Sequence, residues 1–244
     1  MPGHEFPEFE ALLTWTISDG CCEWSLVESE FLRVVECFDA EYARGQRPSG
    51  WYQAKARYFN DLIVLLLTKI SNRPIAKRVH KSSMLFGALD VDICVPANGI
   101  PIVAGEVKAL GTPPHPRNDM KAREGKADLH KRVREVAFTS MDLKVAYTPA
   151  VPIGSFQHWI DSTSPGYFCF WAIRTDNERD LETVRTTLCN LRSYCNGVGA
   201  ILYGPRDEGS PTSYIVRTPR ELSIDRQLKE MAQRIVSVPG DSAG

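Results

Sequence analysis

The chain has no excess of charge of either sign, no long apolar run and no ordered set of cysteines. Its 29 Lys and Arg stand against 30 Asp and Glu, a formal net charge of -1, which describes neither a generic polyanion binder nor a strongly acidic protein. Cys21, Cys22, Cys37, Cys94, Cys169, Cys189 and Cys195 are odd in number, and no two are spaced C-x-x-C. That argues against a disulfide framework and a structural zinc site, and it fits a reducing cytoplasm. The longest strongly apolar stretch, Leu62 to Leu67, falls far short of the roughly 20 residues that cross a bilayer. The opening MPGHEFPEFEALL has no basic region leading into an apolar run, so no secretory signal and no membrane partner are expected. RSYCNGVGAILYGP contains glycines but lacks G-x-x-x-x-G-K-S/T, which leaves nucleotide hydrolysis by a P-loop unsupported. No internal repeat is visible.

With 244 residues and 43% hydrophobic composition, the chain suffices for one well-packed domain of α/β or α+β type. Its charge is segregated. Met1 to Glu41 holds ten acids against Arg33 alone, whereas Arg117 to Arg134 holds seven Lys or Arg against three acids. The first segment would repel a nucleic-acid backbone and the second would attract one. The expected division is an acidic, helical N-terminal segment over 1–50, packed or regulatory, then a core over 51–235 and a flexible tail over 236–244.

Hydrophobic spacing predicts helices over Ser25 to Tyr42 and Tyr52 to Ile70, the latter apolar nearly all round in its C-terminal half and therefore a core helix. Strands are expected over Ile75 to Lys81, Leu89 to Val95 and Ile102 to Ala109. After GTPPHP the run from Asn118 to about Ser140 reads as a charged helix interrupted at Gly125. Strands at Leu143 to Tyr147, Tyr167 to Ile173 and Gly199 to Tyr203 then alternate with helices at Glu178 to Tyr194 and Glu221 to Ile235. The order implies an α/β fold, a mixed central β-sheet flanked by helices.

The informative stretch is LDVDICVPANGIPIVAGEVKALG, Leu89 to Gly111. In antiparallel strands directly paired residues share a face, and a slip of one residue exchanges the faces. A two-residue turn at Asn98 and Gly99 would pair Asp92 with Gly105 and send Glu106 to the opposite side. A three-residue loop from Asn98 to Ile100 pairs Asp92 with Glu106 and Asp90 with Lys108. This second register also opposes Val91 to Val107, Ile93 to Gly105 and Val95 to Val103, so one face is apolar and the other carries the charge. The hydrophobic pattern favours it, although Asn-Gly is a strong two-residue turn signal; a bulge would reconcile the two.

Paired carboxylates on adjacent strands repel unless a proton or a cation intervenes. Asp92, Glu106 and the backbone carbonyl of Val107 would offer hard oxygens, which suit Mg²⁺, with Mn²⁺ expected to substitute. Lys108 lies two residues beyond Glu106 on the same side, placed to orient or help deprotonate a water while the metal withdraws charge from a phosphate. Metal, water and amine together describe phosphodiester hydrolysis. E-x-K alone is common; its coupling to D-x-D across a short connection gives it weight.

LDVDICV followed by AGEVKA resembles the catalytic core of the PD-(D/E)xK nuclease superfamily, to which many restriction endonucleases belong. Asp92 matches its first aspartate, and Glu106, Val107 and Lys108 match its E-x-K. The resemblance implies a restriction-endonuclease-like core and Mg²⁺-dependent cleavage of nucleic acid. It covers about 20 residues strongly, and in element order it extends over Tyr52 to Tyr147. Val91 stands where the pattern has proline, which leaves Asp90 as a rival first ligand. The superfamily's additional acid on a preceding helix is matched by Asp61.

Just downstream, Lys121, Arg123, Lys126, Lys131 and Arg134 are the candidates for phosphate contacts. His115, between two prolines and close after Lys108, is a candidate accessory group, and His130 reads as a surface residue. The aromatics of GYFCFWAI read as core, with base stacking as the alternative. The expected activity is a Mg²⁺-dependent endonuclease acting on double-stranded DNA, of a type II restriction or related defence kind, working as a homodimer that addresses both strands. The alternatives are an RNA or structure-specific nuclease, or a catalytically silent nucleic-acid-binding protein of the same fold.

Overall fold

The computed structural model describes residues 6–18, 23–46, 52–85, 87–115, 125–148, 155–207 and 210–237. Three helices come first: α1 (Pro7–Ser18), α2 (Trp24–Ala43) and α3 (Tyr52–Ser71). Their apolar positions recur at helical spacing and meet in a cluster of aromatic rings. Phe9 stacks on Tyr58 at 4.7 Å, and Phe31 packs against Phe59 at 5.2 Å. Such ring pairs contribute roughly 0.5–1.5 kcal/mol each beyond their burial. The acidic N-terminal segment is therefore packed on α3 through Phe6, Phe9 and Leu12.

A six-stranded sheet follows, in the order β1-β2-β3-β4-β5-β6. Its strands are β1 (Ala76–Ser83), β2 (Gly87–Val95), β3 (Val103–Leu110), β4 (Gly166–Arg174), β5 (Gly197–Pro205) and β6 (Tyr214–Val216). The central pairs β3·β4 and β4·β5 are parallel and the outer pairs are antiparallel. Parallel neighbours need crossovers, supplied by α4 (Leu129–Tyr147) with the short α5 (Phe156–Ser162), and by α6 (Glu178–Leu191). A final helix, α7 (Ile224–Ser237), packs against β5 and α3.

β4 shows how the sheet separates two cores. Phe168, Phe170 and Ala172 point toward α3 and α7, whereas Tyr167, Cys169, Trp171 and Ile173 point toward α4 and α6. The aromatics of GYFCFWAI are buried on both faces, as a central parallel strand requires. Caps are local: Ser155 accepts a hydrogen bond from the His158 N–H and Asn177 one from the Asp180 N–H.

The strand expected at Leu143 to Tyr147 is instead the last turn of α4. The run Leu143-Lys144-Val145-Ala146-Tyr147 is mostly apolar and short, but Leu143 and Tyr147 are also four apart, the spacing of helical neighbours. Of the charged run from Asn118, residues 118–124 lie outside the described ones, and the helix begins at Leu129 after a turn that includes Gly125. The expected helix at Glu221 begins at Ile224, preceded by a 3-10 turn at Arg220–Leu222. α5 and β6 were not expected. Residues 238–244, the expected tail, lie outside the described residues.

Candidate active site

β2 and β3 pair at Ile93 with Gly105, Cys94 with Ala104 and Val95 with Val103. This is the register selected by the apolar pattern. The connection differs from both turns considered: it runs from Pro96 to Ile102, where the Ile102 N–H returns to the Val95 carbonyl at 2.7 Å. The ammonium of Lys81, from β1, donates to the carbonyls of Pro96, Ala97 and Gly99 at 3.3, 2.7 and 3.1 Å. A buried lysine outside the hairpin thus supplies the donors that a short turn would have supplied itself.

Beyond Ile93 and Gly105 the two strands diverge, so the direct pairings of Asp92 with Glu106 and Asp90 with Lys108 are not formed. A side chain bridges the gap instead: Asp92 Oδ2 accepts the Val107 N–H at 3.0 Å. The apolar face also changes hands here. Ile93 and Val95 pack with the α3 side, but Val91 packs with the α4 side, contrary to the single apolar face expected for all three.

Three charged groups meet in the divergence. Lys108 Nζ lies 3.8 Å from Asp92 Oδ2 and forms a close ion pair with Glu106 Oε2. The other oxygen of Glu106, Oε1, accepts a hydrogen bond at 2.8 Å from the hydroxyl of Tyr167 on β4. Gly105 brings these strands close: a Cβ there would lie 2.4 Å from the Phe168 carbonyl oxygen, so no side chain fits beside Glu106 at that point. Tyr167 went unrecognised in the sequence because its partner is set by the parallel register of β3 on β4, which places it opposite Ala104.

The electrostatics follow from burial and pairing. Burial raises the pKa of Asp92, working against the charge of Lys108 and the Val107 N–H. For Lys108 burial acts downward, but the carboxylates of Glu106 and Asp92 outweigh it and hold the ammonium above the ordinary lysine range. The buried hydroxyl of Tyr167 is pushed far up by burial and by Glu106, so it stays a donor. Two carboxylates therefore share one positive charge. Among the described residues no third His, Cys, Asp or Glu groups with them, so a cation held here would draw its other oxygens from carbonyls and water. That donor set fits Mg²⁺, which keeps several waters.

The site opens into a cleft of about 390 Å³ between α3, β3 and the start of α4. Asp92, Val107 and Lys108 line it together with Arg57, Arg78 and Arg132.

The remaining expected residues lie elsewhere. Asp90 is exposed and pairs with His80 across β1. Asp61 forms an ion pair with Lys77 at 2.6 Å, one position beyond Asn60, which does line the cleft. His115 packs edge-on against Tyr42 with ring centres 4.9 Å apart. Lys126 is bound to Asp180 at 2.5 Å, Lys131 is exposed, and Arg134 lines a separate groove between α4 and α6. Lys121 and Arg123 fall outside the described residues. On α4 it is Arg132, two positions before Arg134 and so about 200° around the helix, that reaches the cleft.

No family model, curated protein or solved structure matches the chain. Among the described residues no helix is long and apolar enough to cross a membrane.

Proposed function

We propose that the chain is a Mg²⁺-dependent endonuclease that hydrolyses DNA phosphodiester bonds, with Asp92, Glu106 and Lys108 as its catalytic residues. One observation carries the reading: two carboxylates from diverging strands converge on a single lysine, and Asp92 and that lysine line a cleft together with three arginines. Asp92, Glu106 and the Val107 carbonyl would hold the ion, with Mn²⁺ as a substitute. When bound, the ion would polarise the scissile phosphate and lower the pKa of a coordinated water. Glu106 is kept oriented by Tyr167, and Asp92 by the Val107 N–H. Lys108, which here neutralises both carboxylates, would be released from part of that duty once a dication is present; as an ammonium it would orient the attacking water, and it would accept a proton from that water only after giving up its own.

The mixed sheet, the E-V-K on β3 and the aspartate on β2 support a restriction-endonuclease-like core over 51–235, with the acidic segment before it as a packed cover or dimer surface. A cytoplasmic homodimer acting on double-stranded DNA, in restriction or a related defence role, is the corresponding setting. The test is incubation of purified protein with linear duplex DNA, circular DNA and RNA, with Mg²⁺ or EDTA. Discrete DNA fragments with Mg²⁺ alone support a sequence-specific enzyme; RNA cleavage, or binding without cleavage, would redirect the reading. Persistent metal-dependent cleavage in Asp92→Ala or Lys108→Ala would remove the proposed site.

A further inference from the structure

β1 and β2 form an arm that reaches past the sheet, since β2 pairs with β1 back to Gly87 but with β3 only from Ile93. The arm is fastened to α4 at its far end, where the Ser82 N–H donates to the Tyr147 hydroxyl at 3.1 Å and the Met84 N–H to Asp142 at 3.0 Å. The β1·β2 register is constant along its length, with Lys77 on Ile93 and Val79 on Val91. Between them Arg78 adopts a left-handed φ of 54° at the position facing Asp92. That is where the arm crosses from the α3 side to the α4 side of the sheet.

Glycine or asparagine would make this crossing with less backbone strain than arginine. The side chain that stands there lines the cleft beside Asp92 and Lys108. Other cations of the cleft are engaged: Lys55 with Asp39, Lys108 with Glu106, Arg132 with Glu135, and Arg57 over the ring of Tyr58. Arg78 is exposed, and its charge acts on Asp92 without a hydrogen bond or close ion pair to any described residue. The Arg78 guanidinium is exposed in a cleft that Lys55, Arg57, Lys108 and Arg132 also line, so its N–H donors are accessible to an anionic ligand there.

We propose that Arg78 is a phosphate-contacting residue, the guanidinium that binds the backbone phosphate lying against Asp92. The inference rests on the nuclease reading and adds to it the side of the site from which the phosphate is gripped. A guanidinium offers a planar fork for two phosphate oxygens, which a lysine at the same place would not.

The test compares wild type with Arg78→Asn and Arg78→Lys. Each is scored for melting temperature, for binding of a linear DNA duplex against salt with Ca²⁺ in place of Mg²⁺, and for Mg²⁺-dependent cleavage. Asparagine suits the left-handed backbone, so Arg78→Asn should melt no lower than wild type. It should nevertheless lose about one unit of salt slope and cleave roughly ten- to a hundredfold more slowly. Arg78→Lys should keep the salt slope while cleaving more slowly than wild type. Slope and cleavage unchanged in Arg78→Asn would overturn the proposal, and so would a large fall in its melting temperature, which would give the side chain a purely structural duty. Failure of wild type itself to bind or cleave would instead remove the nuclease reading, and the proposal with it.

Discussion

Replacing Tyr167 by Phe probes the site without altering any of the proposed metal-binding groups. The substitution deletes one oxygen from a fully buried ring, leaving the aromatic packing and volume of β4 nearly intact. What is lost is a 2.8 Å hydrogen bond to Glu106 Oε1. Hydrogen bonds to charged acceptors contribute roughly 1.5–3 kcal/mol. At about 2–4 °C per kcal/mol for a chain of this size, the melting temperature should fall by roughly 3–12 °C. Glu106 would retain Lys108 but lose the contact that fixes its orientation. Partners behind a ligand of this kind typically change metal affinity or activity roughly ten- to a hundredfold. Thermal unfolding gives the first number, and cleavage rate against Mg²⁺ concentration gives the second. A variant that melts with wild type and needs no more Mg²⁺ would refute the idea that Tyr167 positions the carboxylate.

Other outcomes follow from the charges. The pKa of Asp92 is raised chiefly by burial, so its ionised form is disfavoured in the fold and stability is recovered as pH falls through its titration. Asp92→Asn should therefore stabilise the metal-free protein at neutral pH, by a margin that shrinks on acidification. In wild type, Mg²⁺ at ten times a dissociation constant on the order of 1 mM should add about 1.4 kcal/mol, a rise of roughly 3–6 °C in melting temperature, which Asp92→Asn should abolish. Lys144 is buried against the carbonyls of Ile160, Thr163 and Pro165, and burial together with Arg234 lowers its pKa from 10.5 to about 8. Between those values the unfolded chain binds the extra proton, so stability should rise with pH across the interval in urea titrations. Lys144→Met should erase that slope, and its deficit against wild type should be wider at the alkaline end of the interval than at neutral pH, because the carbonyls are stranded at every pH while the disfavoured charge is relieved only where wild type is protonated.

The sequence disclosed the hairpin register because alternation fixes faces, and Ile93, Val95 and Val103 leave little choice once one side must be buried. It did not disclose the connection, since Asn98 and Gly99 carry a local turn signal that Lys81, distant in sequence, overrides through three carbonyls. Nor was the divergence after Gly105 legible: alternation predicts a continuing ladder and knows nothing of the left-handed Arg78 that carries the arm across. Asp92 and Asp90 were indistinguishable by letters and faces alone. Their surroundings separate them, one bound to a backbone N–H inside the cleft and the other exposed beside His80. The basic run after the hairpin enters α4, but which of its residues lines the cleft depended on where α4 begins.

The most direct measurement is single-turnover cleavage of linear duplex DNA by wild type and by Glu106→Gln at fixed Mg²⁺, with binding in Ca²⁺ as the control. Glutamine keeps the shape of the side chain and an oxygen for the Tyr167 hydroxyl but removes the charge that Lys108 neutralises and the proposed metal would use. Cleavage should fall roughly a thousandfold or more while DNA binding persists. Cleavage by Glu106→Gln within tenfold of wild type would contradict the central role given to the carboxylate pair.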